Sequence, residues 1–229
     1  VVPYAGPPCF LEDDCFKFNF EENGIFPDQH DFAPKIENKI ISKYNMMMPN
    51  DDLIIDTQGS IKFENFNHFD FERKEELLKE YQKKRLPYIN NYLQNIPEPK
   101  NDLYEKFDVY FKKLINQNKY FSSSVDQIVE FQIDGKCGGT WQINFKDSPI
   151  KISKEKIGEA EYRLTINSKY MNLILNDKIN WEDFLLSLRL KIWRKPDIYN
   201  GSLFALLQYG REPILCQRAE NIDLKSKCP

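Results

Sequence analysis

Two histidines and five cysteines in 229 residues are a thin stock of side chains for gripping metals or attacking substrates. His30 stands in "PDQHDF", two residues after Asp28, and a carboxylate at that distance can orient an imidazole at the mouth of a pocket. A loop histidine at the surface is the plainer reading of the same residues, and His68 in "NFNHFDF" has no partner pattern at all. Gly6-Pro7-Pro8, in the opening "VVPYAGPPCFL", fixes the backbone and removes two N–H donors, so it cannot sit in a central strand and suits a pocket rim. Arg189 and Arg194, with Asp197 close by in sequence, suggest phosphate binding, because guanidinium forks match phosphate oxygens. Equally, an Arg near a helix C-terminus can satisfy free carbonyls and pair with an Asp just beyond, while Pro196 stops the helix. "DGKCGG" (134–139) is glycine-rich, yet no G-K-[ST] is present and no helix follows, so a hairpin turn with glycines at positive φ is expected. No catalytic residue is assigned.

The bulk numbers narrow the classes. At 41% hydrophobic and 29% charged the chain suits a folded globular protein. Its net charge of −3, with acids and bases interspersed, offers no basic face for nucleic acid. The apolar runs are far too short for a membrane span, and no charged segment followed by an apolar one opens the chain as a signal peptide would. Cys9, Cys15, Cys137, Cys216 and Cys228 are odd in number and contain no C-x-x-C pair, which points to reduced thiols and a cytoplasmic location.

The elements that must position these residues read as follows. Val1–Tyr4 and Leu53–Ile55 are strand candidates, and "KIENKIISKY" (35–44) spaces its isoleucines as a short helix would. Phe69–Arg85 is a charged helix with Leu77, Leu78 and Tyr81 on one stripe. "IPEPKND" is a proline-rich connector between domains. In the second half, "DLYEKFDVYFKKLI" puts Leu103, Phe107, Tyr110, Phe111 and Leu114 on one helical face. Val129/Phe131/Ile133, Trp141/Ile143/Phe145 and Tyr162/Leu164/Ile166 alternate as strands. Ser168 is a candidate N-cap for "KYMNLILN". Trp181, Phe184, Leu185, Leu188 and Ile192 repeat as a helix, extending toward Tyr199. The expected fold class is α+β, an antiparallel sheet with helices.

"INWEDFLLSLRLKIWRKPDIYNGSLF" (179–204), with Trp181, Asp183, Arg189, Arg194 and Pro196-Asp197-Ile198-Tyr199, resembles the C-terminal signature of the CMP-N-acetylneuraminate hydroxylase family and its bacterial relatives. "EYRLTINSKYMNLILNDKI" resembles the segment that leads into it. The stretch from "VEFQIDGKCGGTWQINF" onward is similar to a sterol-carrier-protein-like α+β module. "VPYAGPPCFL" and "GIFPDQHDF" resemble the last strand and rim loop of a metallo-β-lactamase-like domain.

The resemblance implies a division into 1–96, the C-terminal edge of the metallo-β-lactamase-like domain; 97–220, the sterol-carrier-like accessory domain; and 221–229, a linker or the start of a truncated Rieske domain. It implies a parent with a [2Fe-2S] cluster and a Zn or Fe ion, and it offers Cys228 as a truncated Rieske ligand, a cysteine with no ligand role before Pro229 being the plainer reading. A metallo-β-lactamase-like site needs several converging His and Asp ligands, which two histidines cannot supply, so the ligands would lie upstream or be lost. The implied function is a segment, inactive alone, of a metal-dependent hydrolase or monooxygenase acting on a small polar, nucleotide-sugar-like substrate. Its partners are then the upstream part of its own polypeptide and that substrate. The alternative is a module binding a lipid or other apolar small molecule, with Trp141, Phe145, Leu173 and Leu185 lining the cavity. A third expectation is a homo-oligomer contact through the 181–199 helix.

Overall fold

The computed structural model describes residues 9–20, 28, 30, 35, 47, 51–64 and 70–210. The chain divides into two compact units, Val1–Asn95 and Ile96–Pro229. The expected elements at 1–4 and 35–44 lie outside the described residues, apart from Lys35.

In the first unit a short helix, α1 (Asp13–Phe16), runs into a 3-10 turn at Lys17–Asn19. The strand expected at 53–55 is β1 (Asp52–Ile55), and it forms a hairpin with β2 (Ile61–Glu64). Its loop is closed by the Asp56 carboxylate, which accepts from the N–H groups of Gln58 and Ser60, both at 2.8 Å. Gly59 supplies the positive φ of 83° that the turn requires.

The charged helix is α2 (Lys74–Gln94), entered through a 3-10 turn at Phe71–Arg73 that Asp70 caps. It runs nine residues past the expected end at Arg85 and through Pro87. Proline removes one helix hydrogen bond, and on a helix with no buried residue water can satisfy the carbonyl left behind. Tyr81 is exposed rather than on the stripe. The half-buried positions are Lys74, Leu77, Leu78, Gln82, Leu86, Ile89 and Leu93. The Gln82 amide donates to Leu11 O at 2.8 Å and Asp13 Oδ1 at 3.1 Å, joining α2 to α1.

The second unit is an α+β layer pair. Its strands are β3 (Ile128–Asp134), β4 (Gly139–Asn144), β5 (Lys151–Ser153), β6 (Tyr162–Asn167) and β7 (Lys191–Arg194), in the spatial order β5-β4-β3-β6-β7. The sheet is mixed, not antiparallel as expected: β6 runs parallel to β3, with Phe131 opposite Leu164. Parallel neighbours need a crossover, and residues 154–161 provide it across the sheet face opposite Trp141, held there by Gln142. Alternation along β3, β4 and β6 sends Val129, Phe131, Ile133, Trp141, Ile143, Tyr162, Leu164 and Ile166 to one buried face.

Helix α3 (Tyr104–Gln117) lies on that face through Phe107, Phe111 and Leu114. The Phe107 ring sits 5.1 Å from Phe131 and 4.8 Å from Trp141. Helix α4 (Lys119–Val125) follows and ends at Asp126 in the left-handed region.

Three local expectations are corrected here. Helix α5 (Ser168–Leu175) is capped by Asn167, whose side chain accepts from Lys169 N–H, while Ser168 is its first residue. In the β3–β4 turn Gly135 has φ 105°, but the second positive φ belongs to Cys137 at 60°. Gly138 is needed for space, since a Cβ there would stand 2.0 Å from Ile133 O. The long helix through Ile192 is instead α6 (Trp181–Leu186), and Leu188 turns into positive φ just beyond it. Lys191–Arg194 then joins the free edge of β6, because an open ladder outweighs a weak helical period.

The final described helix, α7 (Gly201–Tyr209), was not expected; Leu203, Phe204, Leu206 and Leu207 are buried on it. Asn200 caps it by accepting from Leu203 N–H at 2.9 Å, and its amide donates to Val125 O at 2.9 Å.

One prediction concerns the approach to α3. Lys154 Nζ lies 2.6 Å from the Asp102 carboxylate and Tyr104 N–H donates to it at 2.8 Å. The lysine first, then the backbone donor, hold this carboxyl below its ordinary value. A depressed carboxyl stabilises the fold above its unfolded pKa of about 4, and that contribution is lost as pH falls through the lower folded value. Urea unfolding between about pH 5 and 2.5 should show part of the acid-side decline, and Asp102→Asn should remove that part. An identical acid slope in the variant would contradict the assignment.

Candidate functional site

The residues singled out in the sequence do not form one constellation. Gly6, Pro7, Pro8 and Cys228 lie outside the described residues. Asp28 is largely buried and its carboxylate binds Lys74 Nζ at 2.5 Å, while the exposed His30 ring stacks on Phe71 at 4.8 Å. Arg189 lies in the loop after α6 with its guanidinium 5.8 Å from the Tyr170 ring. Arg194 is on the edge strand β7, not in a helix, and its Nε donates to Asp197. Among the described residues no group of three or more His, Cys, Asp or Glu side chains is placed to hold a metal ion. The implied metal groups therefore do not fit the donor set described, and no chemical step is derived through them.

The expected cavity residues are part of the packing. Trp141 and Phe145 are 3% and 4% exposed within the core, and Leu173 and Leu185 are half-buried. The cleft lies instead on the outer side of α3, where that helix meets the end of α5, with a volume of about 650 Å³. Its α3 wall is made of two stripes at helical spacing: Glu105, Val109, Lys113 and Gln117, then Lys106, Tyr110 and Leu114. The opposite wall is Leu175, Asn176 and Asp177.

Local chemistry explains why the second wall stands where it does. Asn176 N–H and its side-chain amide both donate to Asn172 O, at 3.2 and 2.6 Å. Asp177 takes φ 59°, and Lys178 N–H returns to Leu173 O at 2.9 Å. The chain thus leaves α5 in a tight left-handed exit. Lys106 Nζ bridges the walls by donating to Asn176 Oδ1 at 3.0 Å. Beneath them, the buried Trp181 indole N–H donates to the Tyr110 hydroxyl at 3.0 Å, which fixes that ring against the core.

An apolar floor with a charged rim suits binding better than catalysis. Val109, 67% exposed on a helix whose neighbouring surface is charged, is the residue that marks the site. Its signal in the sequence is an isolated valine on a face of Lys and Glu, beside the stronger core stripe of α3.

No family model matches the chain, and no curated protein matches it. Solved structures similar to it include several sterol carrier protein 2 domains. Sterol carrier protein domain 2 of Helicoverpa armigera is 17% identical, covering 55% of this chain and 94% of that chain with a TM-score of 0.38. Sterol carrier protein 2 of Yarrowia lipolytica, in its apo form, is 23% identical over 39% of this chain and 83% of that one, with a TM-score of 0.30. Sterol carrier protein 2 like 2 of Aedes aegypti is 11% identical over 42% and 91%, with a TM-score of 0.32. The metallo-β-lactamase-like edge and the Rieske cluster implied by the sequence resemblance receive no support from these neighbours. No helix among the described residues is long and apolar enough to cross a membrane.

Proposed function

We propose that residues 96–210 are a binding module for a lipid-like or other small apolar molecule, held in the cleft between α3 and the exit of α5. The observation that supports this most directly is the cleft itself. Val109, Leu114, Leu175 and the Tyr110 ring offer an apolar surface, about 650 Å³ of space adjoins it, and small-molecule pockets commonly enclose about 300–1,000 Å³. The rim charges Glu105, Lys106, Lys113 and Asp177 leave room for one polar end in water.

Melting of the full chain with a panel of fatty acids, fatty alcohols and sterols tests the reading. A ligand at about one hundred times its Kd should add about 2.7 kcal/mol to stability, a rise of several degrees. Val109→Glu places a carboxylate on the apolar wall and should weaken binding by about tenfold or more while leaving the fold intact, because the side chain is exposed. A panel that neither raises the melting temperature nor binds by equilibrium dialysis ends the proposal.

A further inference from the structure

The β1–β2 hairpin of the first unit carries an apolar face of its own. The register sets Leu53 against Phe63 and Ile55 against Ile61, so these four share one side, and Asp52, Ile54, Lys62 and Glu64 share the other. Leu53, Ile55 and Ile61 are all exposed. Among the described residues the hairpin is a two-stranded sheet, so the outer edge of each strand carries backbone groups without ladder partners. An isolated hairpin is marginal in water, and a third strand is the usual remedy.

The backbone parity says which residues present those edges. Asp56 N–H donates inward to Ser60 O at 3.0 Å. Alternate residues then follow: Ile54 and Asp52, with Lys62 and Glu64, turn their backbone groups inward, and Ile61 and Phe63 turn theirs to the outer edge of β2. We propose that a second copy of this chain pairs there, β2 against β2, antiparallel about a two-fold axis at Phe63.

Charge selects this arrangement. Lys62 and Glu64 lie side by side on one face, Nζ to Oε1 at 2.5 Å. A two-fold at Phe63 sets Lys62 of each copy opposite Glu64 of the other, giving two cross-strand ion pairs, and it places the two Phe63 residues as a directly opposed aromatic pair. The parity is even, so like faces of the two hairpins coincide. The other edge cannot do the same: residues 51–56 of β1 and its flanks carry Asp51, Asp52 and Asp56 and no cation, so self-pairing there would add acids only. The closed two-fold also distinguishes this contact from a β1-to-β2 pairing, which would propagate without end.

The test is sedimentation velocity of the full chain from about 1 to about 500 µM. Because the interface is short, a reversible dimer with a Kd on the order of 100 µM is expected. Lys62→Glu and Glu64→Lys should each weaken it by about tenfold, and the double exchange should restore it, since each charge again meets its opposite across the axis. Phe63→Pro removes an outward N–H that the hairpin's own ladder does not use, and it should abolish the dimer while leaving the circular dichroism spectrum unchanged. A monomer at every concentration overturns the proposal. A dimer indifferent to the single charge reversals, a double exchange that fails to rescue, or open-ended growth with concentration does the same.

Discussion

Phe111→Ala is expected to lower the stability of the 96–229 unit by about 3–5 kcal/mol, a large share of what keeps an ordinary domain folded. Phe111 is fully buried and occupies the middle of the aromatic layer between α3 and the sheet. Its ring lies 4.4 Å from Phe107, 4.9 Å from Phe131 and 6.5 Å from Trp181. Truncation removes the transfer free energy of the ring and opens a void. Neighbouring rings on a strand and on two different helices cannot all move inward to fill it. Urea unfolding followed by Trp fluorescence measures the loss, and Val109→Ala, two residues earlier on the same helix but solvent-facing, serves as the control and should fall within about 0.5 kcal/mol of the parent. A Phe111→Ala midpoint that moves by less than about 1 kcal/mol would mean that the core packs elsewhere.

Where a segment buries one face and is long enough to show its period, the sequence was readable. The stripe of Leu103, Phe107, Tyr110, Phe111 and Leu114, with Tyr110 half-buried, and the alternation of β3 and β6 follow the sequence pattern because burial on one side writes a regular period. The errors have physical sources as well. Ile192 continued a helical spacing by coincidence, and only the free edge of β6 could show that Lys191–Arg194 pairs as a strand. The parallel β3–β6 pairing depends on a crossover that no local pattern announces. Helix α7 did have a signal, Asn200 before an apolar run and Gly210 after it, which the weight given to Pro196-Asp197 obscured. Of the site, very little was legible. A cleft between two helices belongs to neither segment alone, and its marker is a single exposed valine. Arg194 and Asp197 do pair, as the structural alternative held, but from an edge strand rather than a helix end.

Gln142 is where alternation misled most, and it carries the other large expectation. By its place in β4 it should face water, opposite Trp141; instead it is 1% exposed. The crossover at 154–161 covers it, and the side chain binds that segment at Ile157 and Gly158. Its amide donates to Glu130 Oε2 at 2.9 Å and to Gly158 O at 3.1 Å, and its oxygen accepts from Ile157 N–H at 2.6 Å and Gly158 N–H at 3.2 Å. Gln142→Leu keeps the volume and removes all four bonds. Buried partners left without a hydrogen bond cost about 1–3 kcal/mol each, and because the crossover is only half-buried, water can reach part of it, so a total loss of about 2–4 kcal/mol is expected. Amide exchange should accelerate at Ile157 and Gly158 well before the strands open. Gln142→Glu separates the causes. Its carboxylate would face that of Glu130, which Arg163 Nε already engages at 2.5 Å. Burial and the facing carboxylate disfavour the charged form of the new group, so the destabilisation should be largest at neutral pH and recede as acid neutralises it. Equal losses for Leu and Glu at all pH values would show that Gln142 fills space there without tying the crossover to the sheet.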